Sequence, residues 1–476
     1  MLEGDKPREK CGVVGIATDN ASLAPSYLYY SLRALQHRGQ ESAGMAVEGK
    51  KIKCIKDLGL VSDVFDPKTM KKLKGKAGIG HVYYSQKLSK PENAQPHVIS
   101  TSVGEIALGH NGIIVNAEEL KRGLRIKGHV FLKGTEEEAM AYIIADEMQR
   151  SNDILKAIKV LMRNMLGSYT LTMLYEGRVF GIRDPYGIRP LCVGKMKDGH
   201  AVVSESVALD VLEAEPLGDV QPGEVVELTP NGVESHQMIT KNRKAHCFFE
   251  YVYFARADSV IEGRNVYEVR ERAGSRCAKE HPVDADVVIP IPDSGRSHAY
   301  GFSHEADLPM IEGLMKNRYI GRTFIMPDQE SRDISVREKV NPIVNVIKGK
   351  RVVLVDDSIV RGTTMTRIVQ AVKGAGAKEV HVRIGSPPLI TPCYLGIDMT
   401  TRERFLANAK TMDDIRDTLT ADSIGYISVD GVVDAIGLPK GDLCLGCVTG
   451  KYPLDIPSEM HRFQKLIDDY EEEDES

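Results

Sequence analysis

The chain has 476 residues, 42% hydrophobic and 27% charged, a length that suits two to three globular domains, each with its own core. Its net charge of −5 is set by residues 468–476, which carry seven acids; the remainder sums to +2, which excludes the basic stripe of a nucleic-acid binder. No apolar run approaches the roughly 20 residues of a membrane helix, and MLEGDKPREK lacks the apolar core of a signal peptide, so a cytoplasmic protein with a disordered, solvated tail is expected.

In chain order, CGVVGIATDN reads as a strand starting at Cys11. YLYYSLRALQHRGQESAGMAV reads as a helix, a turn at Arg38-Gly39 and a second strand. GIGHVYY, EIALGHNGIIVNAEEL, SYTLTMLYEGRVFGIRDPYGIRPL and HAVVSESVAL continue as strands and turns with two helical inserts. Short strands with helices between predict a sandwich of sheets covered by helices. Later, VVIPIPDSGRSHA predicts a strand, the turn Pro292-Asp293-Ser294-Gly295, and a helix. VVLVDDSIVRGTT follows the same plan: the apolar run Val352 to Val355 suits a strand buried on both faces of a parallel sheet. It ends in Asp356 and Asp357, then a Ser-, Gly- and Thr-rich loop, the helical stretch MTRIVQAVKGAGAKEV and a further strand at HVRIG.

A strand-to-helix turn of this kind offers free N–H groups and the helix dipole to a phosphate. Two carboxylates beside a phosphate make sense only if they grip sugar hydroxyls or hold a Mg²⁺ that bridges to the phosphates. Phosphate, sugar and metal at one turn imply a phosphoribosyl group. The segment resembles the 5-phosphoribosyl-1-diphosphate (PRPP) motif of the type I phosphoribosyltransferases, with Arg361, Gly362, Thr363 and Thr364 as its phosphate turn. The resemblance implies a parallel α/β fold in which Asp293 and Gly295 cradle the diphosphate and Ser294 lies near the metal with Asp356 and Asp357. Lys316 to Asn341 resembles the loop that closes over PRPP, with Lys316, Arg318, Arg322, Arg332, Arg337 and Lys339 as its cations.

The N-terminal half resembles the class II glutamine amidotransferases, which are N-terminal-nucleophile hydrolases with an αββα sandwich. Cys-Gly-Val-Val-Gly, Gln-His-Arg-Gly-Gln, His-Asn-Gly and Asp-Pro-Tyr-Gly-Ile-Arg-Pro-Leu carry the likeness over nearly 200 residues. A nucleophilic thiol needs a base, and in this class the base is the nucleophile's own α-amino group. The resemblance therefore implies that residues 1–10 are a propeptide removed to expose Cys11. Asn111 and Gly112 match the oxyanion-hole positions, and Arg38 and Gly39 match the turn flanking the glutamine pocket. The pocket departs from the family pattern. Tyr83 stands where an Arg would bind the glutamine α-carboxylate, and Gln86, Lys87 and Leu88 replace the expected Thr-x-Gly. Glu136 stands where an Asp would hold the α-amino group. Tyr83 cannot make a bidentate ion pair, which leaves Lys87 or Lys90 as substitute cations.

Of eight cysteines, Cys444 and Cys447 form a C-x2-C, with Cys247 and Cys393 in segments of their own. Spacing alone leaves zinc and iron–sulfur open, with zinc favoured. HCFFEYVYFARADS, SPPLITPCYLGIDM and DLCLGCVTGKYP resemble the cluster-bearing glutamine PRPP amidotransferases, which implies a 4Fe–4S cluster on these four thiols. Cys54, Cys192 and Cys277 are expected as core residues or free thiols. The expected organisation is a propeptide at 1–10, an amidotransferase domain at 11–240, a phosphoribosyltransferase domain with its cluster at 241–460 and an acidic tail at 461–476. The implied function is a PRPP amidotransferase of purine biosynthesis, using glutamine, with Mg²⁺, and by resemblance a homotetramer. The alternatives are an aminating enzyme that uses free ammonia, its glutaminase decayed, or a non-catalytic PRPP sensor.

Overall fold

The computed structural model of the protein describes residues 8–9, 11–84, 90–317, 340–399, 405–408 and 410–456. The N-terminal half is a sandwich of two antiparallel sheets. The first runs Glu215–Asp219, Cys192–Met196, Gly199–Val203, Cys11–Thr18, Ala77–Tyr83, Ser42–Glu48, Ile52–Leu58. The second runs Val233–Gln237, Glu224–Leu228, Arg178–Arg183, Gly167–Tyr175, Gly104–Ile114, His97–Thr101. Cys11–Thr18 is buried at every residue. One face packs Val14 and Ile16 under the helix Ala24–Ala34, and the other packs Val13 and Ala17 against the second sheet. Helices Glu136–Ser151 and Ile154–Asn164 cover the far side, closing the expected αββα arrangement.

Two details differ from the sequence reading. The insert between Ile114 and Gly167 holds three helices, because Ala117–Ile126 precedes the pair already named. In HAVVSESVAL only the first half is strand; Val207–Val211 forms a short helix that packs its apolar residues toward Ala24–Ala34.

The C-terminal half is built on a four-stranded parallel sheet, in the order Val287–Pro290, Arg351–Asp356, Glu379–Ile384, Ser423–Tyr426. Val352 to Val355 are at most 1% exposed, since helices cover both faces; each such side chain contributes about 1.5–3 kcal/mol of burial. The helix after the acid pair is Thr363–Gly374, so it starts two residues before the predicted stretch, and the strand begins at Glu379. Leu314–Lys316 pairs antiparallel with Val340–Pro342, which zips together the two ends of the predicted closing loop. Arg318, Arg322, Arg332, Arg337 and Lys339 lie outside the described residues, as do Gln86, Lys87, Leu88 and the acidic tail. The short strand Arg8–Glu9, within the predicted propeptide, pairs antiparallel with Ile397–Asp398. Among the described residues no helix is long and apolar enough to cross a membrane.

Candidate active site

Cys11 opens its strand and is 2% exposed. It lies opposite Tyr83, which lies opposite Ser42 on its other side. Opposed residues of antiparallel strands share a face, so Cys11, Tyr83 and Ser42 form one row. Val13, His81 and Gly44 form the next, and His81 Nε2 donates to the carbonyl oxygen of His110 at 2.9 Å, reaching the second sheet beside Asn111. Burial drives the His81 pKa down to about 3, so the ring is neutral. Asn111 is fully buried, and among the described residues neither end of its side-chain amide has a hydrogen-bond partner. Such a group costs about 1–3 kcal/mol; a fold that tolerates it keeps a donor for a ligand. The next residue, Gly112, has φ +145°, and a Cβ there would sit 1.9 Å from the Ser168 oxygen.

The Arg38-Gly39 turn clamps this strand. Arg38 Nε donates to the Cys11 carbonyl oxygen at 3.1 Å, and its terminal nitrogens donate to Glu250 at 2.8 and 3.0 Å and to Glu205. The guanidinium is fully buried and engaged by protein groups, so its part is to hold Cys11 in place. A Cβ on Gly39 would meet the Tyr83 backbone nitrogen at 2.4 Å, which seats the turn against the Tyr83 strand. Glu136 opens a helix capped by Thr135, and its carboxylate lies 3.4 Å from His110 Nδ1. The neighbouring Glu137 is buried. Burial raises its pKa, but a hydrogen bond with His110 and the charges of His97 and His110 outweigh this and hold it at about 2. Lys90 is exposed.

At the second centre, strands Val287–Pro290 and Arg351–Asp356 are parallel neighbours, so their carboxyl ends open side by side. Ile291 N donates to Val355 O at 2.9 Å, and a Cβ on Gly295 would lie 2.5 Å from that oxygen. The two predicted turns thus form one edge. Asp356, Asp357 and Ser358 are buried; Asp357 N donates to Asp356 Oδ1 at 2.9 Å, and Ser358 Oγ donates to Asp357 Oδ1 at 2.5 Å. Gly362, at φ +85°, turns the chain into the helix whose first residues are Thr363 and Thr364. Arg361 to Thr364 therefore sit at a helix start, where the N–H groups and the helix dipole favour an anion. Asp293 is exposed and meets Lys316 Nζ at 3.2 Å, with Ser294 half-buried beside it.

The four cysteines come together. Cys247 and Cys444 are in register on the parallel strands His246–Cys247 and Leu443–Cys444. Ile390 N and Thr391 N both donate to Cys447 O, at 3.0 and 3.2 Å, which lays the Cys393 segment alongside, and Leu395 N donates to Cys393 Sγ at 3.4 Å. Burial and the neighbouring thiols push Cys444 up to about 12 and raise Cys247 and Cys447 well above the ordinary thiol value. A cationic centre would relieve that mutual repulsion and favour the thiolates. Cys192 and Cys277 are buried elsewhere in the core and Cys54 is half-buried; none of the eight cysteines is in a disulfide.

Residues 84–211 match the glutamine amidotransferase domain family and residues 263–384 the phosphoribosyl transferase domain family. An amidophosphoribosyltransferase from Methanocaldococcus jannaschii is 48% identical, over 96% of this chain and 99% of its own. One from Archaeoglobus fulgidus is 48% identical over 94% of this chain and 99% of its own. The chain belongs to the amidophosphoribosyltransferase family. A solved glutamine PRPP amidotransferase from B. subtilis, complexed with ADP and GMP, superposes with a TM-score of 0.88 at 41% identity, covering 94% of this chain and 98% of that one. A second structure, of the allosteric regulatory enzyme of purine biosynthesis, gives 0.89 at 41% identity, covering 94% of this chain and 97% of that one.

In this amidophosphoribosyltransferase four charged residues went unnoticed in the sequence. Arg270, buried on the helix Val266–Glu280, is held by the carbonyls of Tyr251 and Ala255 at 2.8 and 2.7 Å. Burial lowers its pKa to about 10, and the charge of Asp357 is what most opposes this, so the guanidinium favours an ionised Asp357. Glu250, Glu205 and Arg189 complete the clamp on Arg38. Arg189 lies in DPYGIRPL and Glu250 in HCFFEYVYF, both conspicuous runs, but nothing local says that an acid of one half binds arginines of the other.

Proposed function

We propose that this chain makes 5-phosphoribosylamine from PRPP and glutamine, opening purine synthesis, with Cys11 as nucleophile. With residues 1–10 removed, the Cys11 α-amino group takes the thiol proton as sulfur attacks the glutamine amide carbon. The Asn111 side-chain amide and the Gly112 N–H receive the developing oxyanion. Collapse forms a thioester and expels ammonia; water then releases glutamate. Ammonia displaces diphosphate from C1 of the ribose at the second centre, where the Arg361–Thr364 turn holds the 5-phosphate and the Asp293–Gly295 turn cradles the leaving group. Catalysis there is positioning and charge neutralisation.

The hard oxygens of Asp356 and Asp357, with Ser294, fit Mg²⁺, which when bound would neutralise the diphosphate. Four neighbouring cysteines, Cys247 and Cys447 buried and Cys393 and Cys444 half-buried, fit a 4Fe–4S cluster, which when bound would tie the Cys247, Cys393 and Cys444–Cys447 segments together. The division at 11–240 and 241–460, the homotetramer and a cytoplasmic location that keeps the thiols reduced belong to the same reading.

The observation that carries it is the contact of the two turns, with Gly295 against Val355 and the buried acids beside them. Asp356→Asn and Asp357→Asn are each expected to lower diphosphate release at least 100-fold with either glutamine or ammonium, since both nitrogen sources meet at this site. Loss with glutamine alone would place the acids in the other half. Neither the ammonia-only enzyme nor the PRPP sensor is favoured by the relatives, and the unsatisfied Asn111 amide supports a working glutaminase.

A further inference from the structure

Gly396 follows Cys393 by three residues and has φ +108°. A Cβ there would lie 2.8 Å from the Arg189 guanidinium and 3.1 Å from Gly112 Cα, so the segment that carries a cluster cysteine rests directly on the oxyanion turn. Arg189 is fully buried, and its guanidinium donates at 3.0 Å to the same Glu250 oxygen that receives Arg38 at 2.8 Å. Arg38 in turn holds the Cys11 carbonyl. Cys247 N, from a second of the four cysteines, donates at 3.0 Å to the carbonyl of Ile188, the residue before Arg189. Arg38, Arg189, Glu205 and Glu250 are all at most 1% exposed and balance in charge. Such a network is rigid while complete, and loss of one member leaves a buried charge uncompensated.

We propose that Arg189 is a positioning residue that couples the four-thiol centre to the glutamine half. It seats the Cys393 segment against Gly112, and through Glu250 and Arg38 it fixes the strand that begins at Cys11. The inference rests on the reading of Cys11, Asn111 and Gly112 as the glutaminase site. A residue that only filled buried space would lower stability everywhere, whereas a coupling residue links two particular segments.

The test uses the full chain as wild type, as Arg189→Met and Arg189→Lys, and as wild type stripped of iron by a chelator. Local hydrogen exchange is read by mass spectrometry, alongside iron content and diphosphate release with glutamine or ammonium. Arg189→Met is expected to keep its iron and its ammonium-driven rate within twofold, and to lose the glutamine-driven rate at least tenfold. Its exchange should rise at least tenfold over residues 109–114 and stay unchanged over Arg351–Asp356. Arg189→Lys, which keeps the charge, should recover part of that protection. Iron-stripped wild type should show the same local rise. Unchanged protection at 109–114 in the stripped protein overturns the coupling, as does an equal rise over Arg351–Asp356. Should Arg189→Met fail to fold, Arg189→Lys and the stripped protein decide by the same criteria. A wild type with no glutamine-driven release would instead count against the glutaminase reading of Cys11, and exchange would still decide the coupling.

Discussion

Tyr83 sits in the same row as Cys11, where a phenol can offer one hydrogen bond to a carboxylate but no charge. A charged hydrogen bond contributes about 1.5–3 kcal/mol, so Tyr83→Arg is expected to lower the KM for glutamine about tenfold. The ammonium-driven rate should stay the same, because that nitrogen bypasses the pocket. A raised KM in the variant would show that the pocket around Tyr83 has been rebuilt for another contact. A second residue effect concerns His97, which faces Lys56, Glu137, Lys133 and Glu138 and whose pKa burial lowers to about 4. A depressed histidine contributes stability that is full above pH 6.5 and lost as pH falls through about 4. His97→Gln should therefore flatten the fall in urea midpoint between pH 7 and pH 4, by on the order of 2 kcal/mol. An equal fall in both proteins would contradict this. At this scale Cys11, Asn111 and the acid pair were legible because each sits in a short local motif. The role of Arg38 was not, since its carboxylate partner Glu250 is 212 residues away.

Among elements, the parallel sheet was readable because apolar runs buried on both faces leave no alternation to misread. The two turns were readable because the residues that end each strand also begin each site. Boundaries were less so: Thr363 and Thr364 lie inside the helix because Gly362, not a side-chain cap, makes the turn. Gly362→Ala would hold a Cβ at φ +85° and press it within 2.8 Å of the Leu406 side chain. It is expected to cost about 1–2 kcal/mol in the urea midpoint and to raise the KM for PRPP with both nitrogen sources. A KM unchanged in that variant would mean that the turn does not meet the substrate. The three-helix insert escaped the sequence reading because Ala117–Ile126 runs straight on from a strand, with no side-chain cap to mark its start.

At the scale of the whole molecule, two catalytic halves are joined by a buried ionic clamp and by the segment that carries Cys393. Purified active protein is expected to begin at Cys11 and to contain about four iron and four sulfide per chain; a fully active chain that retains Met1, or one with stoichiometric zinc and no iron after anaerobic preparation, would contradict those points. The domain organisation was legible because each half carries a site-bearing motif, whereas the clamp between them depends on contacts no local pattern encodes. The most direct measurement is steady-state diphosphate release by wild type and Cys11→Ala, each with glutamine and with ammonium. Two separable halves predict that Cys11→Ala loses the glutamine-driven rate at least 1000-fold and keeps the ammonium-driven rate within about twofold, in keeping with a nucleophile that serves only one site. Equal loss with both nitrogen sources, or glutamine use that survives without the thiol, would contradict the account.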